Sequence, residues 1–195
     1  MEWNKALELS ILSHRAHYLS FIAWALDVTL ETIAEIGVNK GESSHIFRTH
    51  FPNAHLFLID PWQPCSEYLI SGTPISRKLK HYEKAYRNTL NLFQNDPHTT
   101  ILRKTSLEAT EHTPNNLDLV FIDANHTYTH VKENILAWLP KVRPGGILAG
   151  HDYDDTIPMF SGVKSAVDEI FKGKILIGKD RLWIYKKPNI APYTL

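Results

Sequence analysis

A single cysteine, Cys65, stands among 195 residues, which rules out an intrachain disulfide and any thiolate-built zinc cage and suits a reducing compartment. Cys65 lies between Pro64 and Ser66 with no cation beside it in sequence, so it reads as a loop thiol and not as a nucleophile. An excess of charge of either sign is also missing. Twenty-one Lys and Arg offset 21 Asp and Glu, leaving no overall field to gather nucleic acid or an anionic membrane surface. The apolar run from Tyr18 to Leu26 falls far short of the roughly 20 residues of a helical membrane span. Met1-Glu-Trp-Asn-Lys5 lacks the basic-then-apolar order of an export signal. Low-complexity tracts and repeats of solenoid length are absent as well. The expectation is a cytoplasmic protein whose partner is a small molecule, with neither nucleic acid nor membrane.

What is present fits one globular domain over residues 1–195, with 43% hydrophobic and 22% charged residues. Leu9, Leu12, Ala16, Leu19, Ala23 and Leu26 recur three and four apart, predicting a helix over about residues 5–26. This N-terminal segment, residues 1–28, packs on the core or extends it. Apolar runs then predict strands at Thr32–Ile36, Ala54–Ile59, Thr99–Arg103, Leu117–Ile122 and Gly146–Gly150. Helices are expected between them at 41–51, 76–95 and 127–139, and after the last at 162–171. Such alternation indicates a parallel sheet covered on both faces. Lys174–Ile177 and Leu182–Tyr185, separated by a short turn, predict an antiparallel end to the sheet. Residues 61–75, rich in Pro, Ser and Gly, are too long for a simple connection and read as an active-site lid or an inserted loop.

Two strands give way to loops through carboxylates, at Glu35-Ile-Gly-Val-Asn-Lys-Gly41 and Phe121-Ile-Asp-Ala-Asn-His126. The crevice past the carboxyl ends of parallel strands is where open α/β sheets bind ligands. Asp123, ending one strand, and His151-Asp152, ending the next, bring three ionisable groups to that crevice one strand spacing apart.

The order of elements, with Leu117-Asp-Leu-Val-Phe-Ile-Asp-Ala-Asn-His-Thr-Tyr128, Trp138-Leu-Pro140 and Arg143-Pro-Gly-Gly-Ile-Leu-Ala-Gly-His-Asp-Tyr153, resembles the class I S-adenosylmethionine-dependent methyltransferases over roughly residues 30–187. It is most similar to the small branch that includes the macrocin and catechol O-methyltransferases. The resemblance implies a Rossmann-like seven-stranded sheet in the order 3-2-1-4-5-7-6, S-adenosylmethionine as cofactor, and O-methylation of a small-molecule hydroxyl. It also implies a divalent cation, magnesium or another, held by Asp123, His151 and Asp152 with Asn125 or His126 close by. Ser106 and Leu107 fall where such enzymes contact adenine.

The residues themselves agree in charge. Gly37 and Gly41 lack the Gly-x-Gly-x-x-Gly spacing of a pyrophosphate cradle, and Glu35 within the motif would repel pyrophosphate while complementing ammonium and sulfonium groups. Asp60 ends the second strand, where a carboxylate can accept ribose hydroxyls or cap a turn. Trp62 either covers the adenine or anchors its loop. If a metal is bound it would hold the acceptor hydroxyl, Asp123 and Asp152 offering hard oxygens; imidazole at His151 suits manganese, iron or zinc better than magnesium. Without one, His126 or His151 is the general base. Tyr128 and Tyr153 either line the acceptor pocket or pack at its edge. His14, His17, His50 and His55 show no ligand spacing joined to a strand end and are expected on helices or the surface. Two other readings stay open: a nicotinamide-dependent oxidoreductase, and a noncatalytic nucleoside-binding protein on the same fold. The N-terminal helix could cap its own sheet or pair two subunits as a homodimer.

Overall fold

The computed structural model describes residues 14–64 and 79–189. Residues 5–13 of the expected first helix, 65–75 of the long loop with Cys65, and 76–78 of the next helix lie outside the described residues. In chain order the elements are α1 Arg15–Ala25, β1 Thr32–Ile36, α2 Glu42–His50, β2 His55–Ile59, α3 Leu79–Phe93, β3 Thr99–Leu102, α4 Ser106–Ala109, β4 Leu117–Ile122, α5 Tyr128–Trp138, β5 Val142–Gly150, α6 Ser161–Phe171, β6 Leu176–Ile177 and β7 Trp183–Lys186. The strands form one sheet in the order β3-β2-β1-β4-β5-β7-β6. The first five are parallel, and β7 runs antiparallel to both neighbours. No helix among the described residues is long and apolar enough to cross a membrane.

Alternation along the strands supplies two apolar layers. Ile33, Phe121, Ile147 and Ala149 pack with Leu19 of α1, Phe47 of α2 and Phe93 of α3. Ala34, Val120, Ile122 and Leu148 pack on the opposite side with Val131, Ile135 and Trp138 of α5 and Val163 and Val167 of α6. With helices on both faces, the sheet leaves its carboxyl edge as the place where polar side chains can gather.

Beyond shifts of one or two residues at several element ends, three features depart from the sequence reading. Strand β5 starts at Val142, ahead of Pro144-Gly-Gly146, and the register of its pairing with β4 shifts between Leu117 and Leu119. That irregularity lets a Pro-Gly-Gly segment stay in the sheet. The short helix α4 was not anticipated; a capping box forms it, with the Thr105 side chain accepting from the Glu108 N–H while Glu108 accepts from the Thr105 N–H. Strand β6 is only two residues, both exposed.

Asp118 clamps the amino edge of the sheet. Its Oδ2 accepts the Glu31 N–H at 2.9 Å, the Thr32 N–H at 2.8 Å and the Thr32 hydroxyl at 2.9 Å, while Oδ1 accepts the Arg143 Nε–H at 2.5 Å. Burial raises the pKa of this acid, but its bonds to Arg143, Glu31 and Thr32 outweigh that and hold it below the usual carboxylate range. Its stabilisation is therefore present above the unfolded value of about 3.9 and fades as pH falls through the lower folded value. Asp118→Ala should cost about 2–4 kcal/mol at neutral pH by leaving these donors without their acceptor. Urea unfolding should show a lower midpoint at unchanged slope, and a difference from wild type that shrinks in acid.

Candidate active site

Sheet hydrogen bonding continues one residue past three strand ends. The Gly37 N–H donates to Ile59 O at 2.8 Å, the Asp123 N–H to Ile36 O at 2.8 Å, and the His151 N–H to Ile122 O at 3.1 Å. The first residues beyond β1, β4 and β5 are thereby still fixed by the core. Gly37 has φ +92°, and a Cβ there would stand 2.0 Å from the carbonyl oxygen of Asp123. Only glycine lets the β1 loop pass so close to the end of β4.

Between these ends lies a cleft of about 310 Å³ lined by Arg15, Glu35, Gly37, Val38, Asn39, Lys40, Glu42, Ser43, Asp123, Ala124, His126, His151 and Asp152. Glu35 is 2% exposed, and its Oε2 accepts from the Ser44 hydroxyl of α2. Burial pushes its pKa up to about 8, with the Ser44 bond pulling down, Asp123 pushing up and Arg15 pulling down. A cation entering the cleft would draw this proton off.

Other residues singled out from the sequence hold the loops and not the cleft wall. Asp60 Oδ2 accepts the Asn39 N–H at 2.8 Å and Oδ1 the Trp62 N–H at 2.6 Å. Burial raises the pKa of Asp60 against those two bonds. It ties the β1 and β2 loops together, leaving the second lone pair of each oxygen for any further donor. Trp62 is completely buried, its Nε1–H donating to Asn39 O at 2.7 Å and its ring 4.9 Å from that of Tyr86. Its ring has no exposed face in this structure and its contacts are those of a loop anchor. Gly41 takes φ +82° and starts α2. Ser106 Oγ accepts from Trp138 Nε1–H at 2.8 Å and Leu107 is exposed; neither lines the cleft.

The strand-end acids and histidines do converge. His126 Nε2 lies 3.0 Å from Asp152 Oδ2, while His151 Nδ1 lies 3.1 Å from Asp152 Oδ1 and 3.8 Å from Asp123 Oδ1. His151 Nε2 is 3.4 Å from Asp180 Oδ2. Burial alone would lower the His151 pKa, but the Asp152 bond and the Asp123 charge raise it overall. Burial likewise opposes ionisation of Asp152, yet its bonds to His126 and His151 depress its pKa strongly. Asp152 has φ +60°, a left-handed backbone rare outside glycine. Gly162 in α6 sets the place of His126, because a Cβ there would stand 2.5 Å from His126 O and 2.6 Å from Tyr128 N.

The set with metal-ligand geometry is Asp123, His126 and Asp152, whose donor atoms lie within 4.8 Å of one another. His126, expected close by, belongs to this set, while His151 lies beside it with Nδ1 toward Asp152 and Asp123 and Nε2 toward Asp180. Two oxygens and one imidazole nitrogen fit a divalent cation such as manganese, iron or zinc better than magnesium. Asn125 Oδ1 instead accepts the Thr127 N–H at 2.9 Å. Tyr128 and Tyr153 direct their hydroxyls to Glu169 and Asp168 of α6.

The sequence reading missed Arg15. It opens α1, and its Nη2 lies 2.8 Å from Asp123 Oδ2. Nothing in spacing links a helix-start arginine to an acid more than a hundred residues away. Another grouping was also unforeseen: His17 Nδ1 and His50 Nε2 are 2.7 Å apart across the α1–α2 seam, and burial lowers the His17 pKa. His55, on β2, bonds Thr100.

Glu35 yields a stability prediction. An acid whose pKa rises on folding holds its proton more tightly folded than unfolded, so stability should fall as pH climbs from about 4.5 toward about 8. Melting temperatures measured across that range should decline less steeply in Glu35→Gln; equal slopes would contradict the buried-acid assignment.

Residues 34–153 match the family Methyltransf_24, a methyltransferase domain. The sheet resembles that of the O-methyltransferase NovP (TM-score 0.64, 20% identity, 85% of this chain and 75% of that one). It also resembles a candidate caffeoyl-CoA O-methyltransferase from Staphylococcus aureus (0.63, 16%, 93% and 87%) and cofactor-bound Rv0187 from MTB (0.62, 15%, 94% and 88%). A curated relative, uncharacterized protein y4gI of Sinorhizobium fredii (strain NBRC 101917 / NGR234), is 27% identical over 125 residues, which are 62% of this chain and 13% of that protein. The chain thus spans about an eighth of the length of that curated relative. With the strand order, the glycine close approach and the acid-lined cleft, the match places the chain in this methyltransferase-domain family, as a class I S-adenosylmethionine-dependent methyltransferase.

Proposed function

We propose that this protein methylates the oxygen of a small-molecule hydroxyl, with His126 taking the hydroxyl proton. The observation that carries the proposal is the His126–Asp152 pair, 3.0 Å apart at the rim of the acid-lined cleft. Asp152 fixes the ring and stabilises the imidazolium that proton transfer creates. His151 has each ring nitrogen turned to a carboxylate, Nδ1 to Asp152 and Asp123 and Nε2 to Asp180, which leaves His126 as the proposed base. Phe160, edge-on to the His126 ring at 5.2 Å, and Gly162 restrain the base from the α6 side. Holding base, hydroxyl and methyl donor in line is worth about 7–11 kcal/mol of the barrier.

Asp123, His126 and Asp152 would hold a divalent cation, which when bound supplies Lewis-acid polarisation of the hydroxyl oxygen. Such an ion must take Asp123 from Arg15 and Asp152 from two imidazoles. Both carboxylates already have partners in the protein, Asp123 in Arg15 and Asp152 in His126 and His151, which supports the His126 reading.

His126→Gln should lower kcat by about 10²–10⁴-fold while calorimetric affinity for S-adenosylhomocysteine stays within threefold. Turnover of a phenol and sugar-hydroxyl panel should survive a chelator. Loss of activity in chelator, restored by manganese, would transfer the role from His126 as base to a bound ion.

A further inference from the structure

We infer that Arg15 binds the carboxylate of the methyl donor's amino-acid end, so that the N-terminal helix completes the cofactor site. This rests on the chain being an S-adenosylmethionine-dependent methyltransferase. That donor is zwitterionic where it meets the protein: an ammonium and a carboxylate share one carbon, with the sulfonium further along. The acid that receives the ammonium and the base that receives the carboxylate must therefore be neighbours. Arg15 and Asp123, in contact at 2.8 Å, form such a pair within the cleft.

The rest of the cleft leaves the task to Arg15. Its lining carries four acids and, among the described residues, two cations, Arg15 and Lys40. Lys40 is exposed on the loop, whereas the Arg15 side chain is only 26% exposed. Arg15 Nε is buried and has no hydrogen-bond partner among the described residues, an arrangement that costs free energy unless something accepts the bond. Because Asp123 engages Nη2, the remaining donors of the planar fork are pre-aligned for a carboxylate. Arg15 also acts electrostatically on Glu35, the buried acid of the same wall.

Calorimetry with S-adenosylhomocysteine and its decarboxylated analogue, which keeps the amine and lacks the carboxylate, tests this without knowledge of the acceptor. Arg15→Gln should weaken S-adenosylhomocysteine at least tenfold, and Arg15→Lys should recover part of that loss. The decarboxylated analogue should bind the wild type at least tenfold more weakly and lose no more than twofold further in Arg15→Gln. Equal weakening of both ligands would mean that Arg15 only supports α1, and unchanged binding of both would assign it to the acceptor; either overturns the inference. If wild type binds neither ligand, the donor site itself is wrong and the inference falls with it.

Discussion

The geometry of the site depends on one steric fact, that residue 37 carries no side chain. The β1 loop crosses so near the Asp123 carbonyl that any Cβ would overlap it, and this contact brings Glu35 and Asp123 to the two sides of a single cleft. At this point chain connections depart in opposite directions, β1 toward β2 and β4 toward β5. Open α/β sheets part there and admit ligands. Backbone bonds from Gly37, Asp123 and His151 extend the sheet just far enough to fix the reactive side chains, yet leave them at its edge.

On that frame the electrostatics divide between two ends of the cleft. Toward β1 a buried, largely protonated Glu35 stands ready for positive charge, with Arg15 nearby as counterweight. Toward β5 Asp152 is locked in its ionised form by two imidazoles. The same residue type at two strand ends thus behaves in opposite ways: desolvation rules at Glu35 and hydrogen bonding rules at Asp152.

Much of this was legible in the chain. Apolar runs ending in Glu35, Asp60, Asp123 and Asp152 announced parallel strands with polar tips, and the late short turn announced the antiparallel end. Boundaries were lost where tertiary context overrode local preference, as at Pro144-Gly-Gly146, which an irregular register keeps within β5. Trp62 could be read either as a ligand platform or as an anchor, and only its burial separates the two. Ring orientation was equally hidden. Sequence spacing brought His126 and His151 to the same strand ends but did not show which ring nitrogen faces which carboxylate. Arg15 left no periodic trace, since a helix start and a strand end meet only in the folded molecule.

The left-handed backbone at Asp152 carries an evolutionary implication. Glycine, asparagine and aspartate are the residues that occupy this conformation with least strain, so the repertoire open to drift at position 152 is narrow. Exchange for asparagine would keep the main chain and erase the charge in one step. That single exchange therefore separates what the backbone needs at position 152 from what the neighbouring imidazoles need there.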